Sequence, residues 1–401
     1  MKEEKIVKKE LKACRNLRSA GLKGLATAVV ALVILGFGPV AAAAVLVVND
    51  DPAGNPAEPV PCDVTPDQST IQDAITAAAS GDHITICPGK YPEDLTITTD
   101  DLTLHCVNTK YHEAVIEGQA TNVAADFPLA SPNIGIQADK TTIANCKIKV
   151  PGGPGEYGSG IVLAGKNNAI TQNDIRCEAG DPGTVCLQTW NSAALSSVPT
   201  DISGSFIGLN HWTCKRSGGA FGCEGLFINP QFDTEDFMSI VGNNFKGRFY
   251  RLIAVARPKV LVANNKGTTD LSPTNTPDFG MVPIGIKLFG AGDLFGALPG
   301  PGSNKANTTD SLVLENVITS RAKGGFFRRL FGGRGRFARG IWVEDRGADG
   351  AATANLLREN IVKGASEWDC LDETSGDRTA GTGNVWAEHD AQKDSPDGIC
   401  P

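Results

Sequence analysis

Two short patterns of apolar and polar positions recur along this 401-residue chain. The first is Gly-Ile-x-Ψ, with Ψ apolar, at Gly135-Ile136, Gly160-Ile161, Gly225-Leu226, Gly285-Ile286 and Gly340-Ile341. The second is Ψ-x-x-Asn-x-Ψ, as in IANCKI around Asn145, ITQNDI around Asn173 and IVGNNF around Asn243 and Asn244. It continues in VLVANNKG (Asn264, Asn265), LVLENVI (Asn316) and LLRENIV (Asn360). Alternation over so few residues predicts short strands closed by turns. Gly135 to Gly160 spans 25 residues and Ile161 to Leu187 spans 26, whereas Gly285 to Gly340 spans 55, so the later units carry long insertions.

A unit of two or three short strands cannot bury its apolar face alone, so units stack and share one core. When successive coils run parallel, like residues lie over like, and the recurrent Asn forms a ladder of side-chain amide hydrogen bonds. Asn also tolerates the left-handed backbone of a tight corner. A β-sandwich would carry Gly and Asn in its turns as well. It would not repeat Ψ-x-x-Asn-x-Ψ at one relative place. The predicted fold is all-β, a single-stranded parallel β-helix with long inserted loops.

Residues 70–79 depart from this rhythm. Ile71, Ala74, Ile75 and Ala78 share one helical face, Thr70 with Asp73 gives a capping-box-like start, and Gly81 ends the segment. This N-terminal helix is expected to cap one end of the stack, where an open strand edge would invite aggregation. Ile84 and Ile86 then alternate with polar residues as a strand does. The polar, Gly-rich tail from Cys370 to Cys400 is expected to close the other end.

Composition adds the compartment. A basic stretch from Lys2 to Lys23, an apolar run from Leu25 to Phe37, the break Gly38-Pro39 and Ala41-Ala42-Ala43-Ala44 together have the layout of a secretory signal. No charge lies between Lys23 and Asp50, so a retained anchor crossing about 30 Å of bilayer fits as well. The organisation expected is therefore a signal peptide or membrane anchor over 1–44, a linker over 45–61 and a β-helix domain over 62–401, secreted or at the cell surface. The first 23 residues carry eight Lys/Arg against three Glu, so the rest of a chain of net charge −8 is more acidic still. That balance argues against nucleic-acid binding.

Of 11 cysteines, Cys14 lies in the basic leader, leaving Cys62, Cys87, Cys106, Cys146, Cys177, Cys186, Cys214, Cys223, Cys370 and Cys400. An even number in an exported chain predicts disulfides. Neighbours in sequence suggest Cys177–Cys186, Cys214–Cys223 and Cys370–Cys400, with the other four unassigned. The C-x8-C spacing of the first two is too wide for the knuckles of structural zinc.

The segment GDHITICPGKYPEDLTI (81–97) resembles the opening coil of the pectin-lyase-like β-helix superfamily, where G-D-x-I-x-Ψ-x-P-G-x-Y-x-E recurs. The asparagine-bearing coils resemble that superfamily's right-handed repeats, and GTGNVWAEHDAQKDSPDGIC resembles the closing segment of secreted β-helix proteins. The resemblance covers about 65–401 and implies a right-handed parallel β-helix. It is specific for fold and weak for chemistry, because one fold hosts many functions. Polygalacturonase-like sites need a Gly-His-Gly, and none of His83, His105, His112, His211 or His389 sits in one. Gly89, Tyr91 and Glu93 match only the early structural signature of pectin esterases.

A lyase or epimerase route asks for less: an acidic cluster holding Ca²⁺ against a uronate carboxylate, and a Lys or Arg that removes the α-proton. Asp233, Glu235 and Asp236 are the candidate metal ligands, with Arg248, Arg251 and Lys259 the candidate catalytic cations and Arg257 beside them. Acidic triplets are also common in solvated loops of a negative protein. His211, Trp212, Lys215 and Arg216, expected inside a loop tied by Cys214 and Cys223, and Trp190 in another insertion are candidate carbohydrate-binding residues, since aromatics beside cations stack on sugar rings. The alternative is that the Trp covers the core. Residues 321–340 (RAKGGFFRRLFGGRGRFARG) hold seven cations, no acid and four Phe. Arg328, Arg329, Arg334 and Arg336 there are candidates for a polyanion or membrane-surface contact, or for an intramolecular clamp.

Three functions follow from these residues. The leading one is an exported β-helix that binds acidic polysaccharide or cell-envelope material without turnover. The alternatives are a Ca²⁺-dependent uronate lyase or epimerase, and a structural surface adhesin. Membrane contact is expected only through the N-terminal segment or 321–340.

Overall fold

Ile84 and Ile86 point inward while His83 and Thr85 point outward, and later coils repeat this two-residue rhythm. The computed structural model describes residues 43–50, 62–63, 65–109, 112–119, 132–152, 154–179, 181–189, 201–216, 222–228, 236–269, 283–290, 308–320, 337–345 and 352–400. Each complete coil lays down one short strand in each of three parallel sheets, A, B and C in the order the chain visits them, and partial coils at the two ends bring the described strands to 11, 9 and 10. The described strands are numbered β1 to β30 along the chain. The fold is a right-handed parallel β-helix, as expected.

Inward positions stack in columns. In sheet A, Ile143, Ile170, Ile207, Ile240, Val262 and Val313 follow one another in register, each fully buried. Burying one such side chain stabilises the fold by about 1.5–3 kcal/mol. In sheet B the column passes through Trp212 and Phe245, whose rings stack at 5.9 Å.

The recurrent asparagines form the ladder at the corner between sheets A and B. Asn173, Asn210, Asn243, Asn265, Asn316 and Asn360 are all buried. Each side-chain oxygen accepts the backbone N–H of the ladder residue one coil back, for example Asn210 N to Asn243 Oδ1 at 3.2 Å and Asn265 N to Asn316 Oδ1 at 3.0 Å. Each Nδ2 donates to a carbonyl of an earlier coil, as Asn243 does to Ile207 at 2.8 Å. The left-handed corner backbone belongs to the residue before: Gln172, Leu209, Gly242, Asn264, Glu315 and Glu359 have positive φ. Ladder hydrogen bonding and corner turning are thus divided between adjacent residues. Asn145 takes the corner role (φ 64), and Cys146 stands at the ladder position.

The Gly-Ile pattern marks the entry to sheet C. A Cβ on Gly225 would lie 2.4 Å from the Leu252 carbonyl oxygen, and one on Gly340 would lie 2.0 Å from Val362 Cγ1. Atoms of the neighbouring coils occupy the place a Cβ would take there, so only glycine fits. Gly135 is out of phase with the others. Ile134, not Ile136, lies beside Ile161, so the 25-residue spacing read from the sequence is not a structural register.

Both ends are covered: at the C-terminal one Trp386, Ile399 and Cys400 pack in the core and Cys370–Cys400 ties the tail. Helix α1 (Ile71–Ala77) buries Ile71, Ala74 and Ile75, and Thr70 Oγ1 accepts from Asp73 N. Glu93 accepts the N–H groups of Ile71 and Gln72 at 2.8 and 2.9 Å, and Tyr91 donates its hydroxyl to the Cys87 carbonyl at 2.9 Å. The conspicuous opening motif therefore builds the first coil. Strand β1 (Val45–Val48) pairs with β2 (His83–Ile86), which corrects the linker boundary: the strand array starts at Val45, because VLVV supplies an edge strand that α1 packs against. Residues 51–61 and 1–42 lie outside the described residues, and no helix among the described residues is long and apolar enough to cross a membrane.

The described residues contain five disulfides: Cys62–Cys87, Cys106–Cys146, Cys177–Cys186, Cys214–Cys223 and Cys370–Cys400. They include all three pairs suggested by the sequence. Cys177 and Cys214 are in register on neighbouring coils, each bridging sheet B to sheet C.

Candidate functional site on the outer face of sheet C

In a Gly-Ile-x-Ψ strand the Ile and Ψ face the core, so x faces out. Phe227, Lys287 and Trp342 are such x positions and share one outward row with Ala254. These residues lie on β16 (Cys223–Ile228), β19 (Phe249–Val255), β22 (Ile284–Phe289) and β25 (Arg339–Glu344). Ala254 and Ala256 leave room above β19. Phe227 and Phe289 fill it by stacking across that strand at 6.2 Å.

A register shift after Cys223 brings two successive residues of β19 to one partner. Tyr250 donates its hydroxyl to Glu224 Oε2 at 2.9 Å, and Arg251 Nη2 donates to the same oxygen at 3.0 Å. Arg251 Nε lies 2.9 Å from Oε1, off the hydrogen-bonding direction. Glu224 is buried, and burial raises its pKa against the pull of Arg251. Burial works the other way on Arg251, but the Glu224 charge outweighs it and holds the guanidinium protonated. Burial, then Glu224, raises the Tyr250 hydroxyl, which stays neutral.

The next coils repeat the pairing. Lys287 Nζ is 3.0 Å from Glu344 Oε2, and Arg339 Nε is 3.4 Å from Glu367 Oε2. Both cations lie against the Trp342 ring, at 4.0 and 3.9 Å from its centroid. Arg251 lies 5.4 Å from the Phe227 centroid and Lys287 5.0 Å from that of Phe289. Cations and rings thus alternate along four coils. The C-terminal end opens to solvent: Trp368, on β28 (Trp368–Asp372) in register with Arg339, is 38% exposed. Trp342 is half-buried, and its Nε1 has no hydrogen-bond partner among the described residues. Paired charges beside the half-buried Trp342 and the exposed Trp368 suit hydroxyl- and carboxylate-bearing rings.

The residues singled out from the sequence fall in different places. Arg251 belongs to this face. Arg248 sits at the corner between sheets B and C, where its N–H donates to the Cys214 carbonyl at 3.1 Å. Lys259 turns the corner from sheet C to sheet A with φ 55, beyond the far end of β19. The three candidate catalytic cations are therefore not brought together. Asp236 is exposed, and Arg257 Nη2 donates to its backbone oxygen at 3.2 Å. Arg257 itself is buried, which pushes its guanidinium down to about 10. Among the described residues no three His, Cys, Asp or Glu side chains are grouped as a metal site.

His211, Lys215 and Arg216 lie on β15 (His211–Arg216) of sheet B, not in a loop, and the Cys214–Cys223 bridge leads away from that strand. Trp212 is a correction to the carbohydrate-binding set. Strand alternation turns it inward, it is fully buried, and its Nε1 donates to Asn243 Oδ1 at 3.1 Å. Trp190, Asp233, Glu235, Arg328, Arg329, Arg334 and Arg336 lie outside the described residues. The end of the cationic 321–340 segment is strand, not insertion: Phe337 is in the core and Arg339 begins β25.

No family model and no curated protein matches the chain. Solved structures similar to it include an alginate lyase from Paenibacillus sp. str. FPU-7, at 13% identity and TM-score 0.46 over 82% of this chain and 93% of that one. The tailspike protein of E. coli bacteriophage HK620, in complex with pentasaccharide, gives 10% identity and TM-score 0.42 over 80% of this chain and 52% of that one. Rice weevil pectin methyl esterase gives 11% identity and TM-score 0.37 over 81% and 86%. With its three parallel sheets, asparagine ladder and capped ends, the chain is a right-handed parallel β-helix protein.

Proposed function

We propose that this chain is an exported β-helix protein that binds polysaccharide or cell-envelope glycan on the outer face of sheet C and does not turn it over. The observation that carries the reading is the open end of that face. Arg339 lies against Trp342 of its own strand and is in register with Trp368 of the next coil, with the carboxylate of Glu367 3.4 Å from Arg339. An exposed indole offers a flat apolar platform for a sugar ring, and a guanidinium–carboxylate pair offers donors and acceptors to its hydroxyls. Export is supported by the layout of residues 2–44 and by the five disulfides, which persist in oxidising compartments.

The lyase reading needs an unprotonated base on this face. Arg251 is the candidate nearest to it, and Glu224 keeps it charged. Lys259 and Arg248 lie at two different corners. The binding reading is tested by retention on a panel of immobilised glycans. The wild type is expected to bind at least one, and the Trp342→Ala/Trp368→Ala variant to lose that binding by about tenfold or more, as loss of one or two stacked rings gives. Equal retention of the two proteins would contradict the assignment to sheet C.

A further inference from the structure

We infer that the outer face of sheet B is a second binding surface, made for a linear acidic polysaccharide that crosses the coils at an angle. Four strands carry it: β12 (Asp174–Ala179), β15, β18 (Asn244–Gly247) and β21 (Lys266–Thr269). Asp174, His211, Asn244 and Lys266 stand side by side on successive coils, and Arg176, Thr213, Lys246 and Thr268 form the next row. Lys215 stands one row further, beside Glu178.

The charges of this face are not uniformly neutralised. Towards the N-terminal end Lys147 pairs with Glu113, Lys149 with Glu117 at 3.1 Å and Arg176 with Asp174 at 2.6 Å. Towards the C-terminal end Lys363 pairs with Asp390. Between these, Lys215, Lys246 and Lys266 are exposed and make no ion pair among the described residues. Around Lys246 and Lys266 stand His211, Thr213, Asn244 and Thr268, which offer hydrogen bonds and no negative charge, while Glu178 stands beside Lys215 at the edge of the patch. A chain of net charge −8 thus reverses its sign on one flat patch.

The three lysines lie on a diagonal, each displaced by two residues from the one on the neighbouring coil. With strands about 4.8 Å apart and about 3.3 Å of rise per residue, successive lysines are about 8 Å apart. An extended anionic chain lying along that line meets one ammonium per coil. Single exposed ammonium–carboxylate contacts are weak, so a monovalent anion would not be held, whereas a polymer joins several contacts. Single-stranded nucleic acid needs aromatic platforms, and the aromatic residues of these strands, Trp212 and Phe245, face the core. This surface is separate from the sheet C site and does not depend on it.

The test uses the full-length oxidised protein with polygalacturonate as probe and dextran as the uncharged control. For Lys246→Ser/Lys266→Ser we expect about tenfold weaker polygalacturonate binding at low salt, a flatter salt dependence and an unchanged melting temperature. Undiminished binding with the wild-type salt dependence would overturn the inference. So would loss of all polygalacturonate binding in Trp342→Ala/Trp368→Ala with none in the lysine variant. Loss in the lysine variant alone would support the sheet B surface while counting against the sheet C reading, so the two ideas fail separately.

Discussion

Arg251 on one coil is held by Glu224 on the coil before it, its Nη2 3.0 Å and its Nε 2.9 Å from the two carboxylate oxygens. The pair sits against Phe227 and Tyr250, with the Arg251 side chain 21% and the Glu224 side chain 3% exposed. Removing one partner of such a buried pair leaves the other charge uncompensated. Glu224→Gln is expected to destabilise the fold by about 3 kcal/mol in urea unfolding. Glu224→Gln/Arg251→Met, which removes both charges at similar volume, should recover a good part of that loss. A single variant as stable as the wild type would show that the pair is not buried as described.

Asn243 is the busiest rung of the ladder. Its Oδ1 accepts from Asn210 N, Asn210 Nδ2 and Trp212 Nε1, and its Nδ2 donates to Ile207 O and Asn265 Oδ1. Asn243→Ala leaves buried donors and a buried carbonyl unsatisfied, at about 1–3 kcal/mol for each. The urea midpoint should therefore fall by more than for Asn244→Ala, whose residue is exposed on the next position. Equal midpoints for the two variants would contradict the ladder.

His389 ends the ladder and gives it a pH dependence. Asn360 N donates to its Nδ1 at 3.3 Å, so the ring proton is on Nε2, which donates to the Leu357 carbonyl at 3.0 Å. Burial holds this imidazole below its ordinary 6.5, so as pH falls the unfolded chain takes up the proton first. The contribution to stability is full above that value and is lost as pH falls through the folded one. Melting temperature should drop more between about pH 7 and about pH 5 for the wild type than for His389→Asn, whose amide can take both ring-nitrogen roles. Parallel pH profiles would remove His389 from the account.

The bridges make a separate prediction. Each closes a loop or ties a strand to its neighbour, and native disulfides of exported domains contribute about 2–5 kcal/mol each. Peptide mapping without reduction should recover Cys62–Cys87 and Cys106–Cys146 beside the three pairs close in sequence. Reduction should lower the melting temperature. A reduced protein that melts with the oxidised one would contradict the assignment.

The coils were legible because their inward residues obey one rule on most turns: aliphatic residues alternate in each strand, and an Asn fills one corner. Where a local feature replaced the rule, the reading slipped, as at Gly135 and at Cys146, which stands in for an Asn. The outer face of sheet C was largely missed. Glu224, Tyr250, Lys287, Arg339, Trp342, Glu344 and Trp368 are far apart in sequence, and only stacking joins them. The available signal was the x of Gly-Ile-x-Ψ, which reads Phe227, Lys287 and Trp342 down the coils. Trp212 misled because a Trp next to His211 and close to Lys215 and Arg216 reads as surface, while strand parity sends it inward.

If the paired charges of sheet C hold a glycan and leave its bonds intact, product release decides the matter. The oxidised protein is incubated with a uronate glycan that it retains, and ultraviolet absorbance of unsaturated uronate ends is followed with and without added Ca²⁺. The account predicts retention with no rise in absorbance under either condition. A steady rise, abolished by a chelator, would contradict it.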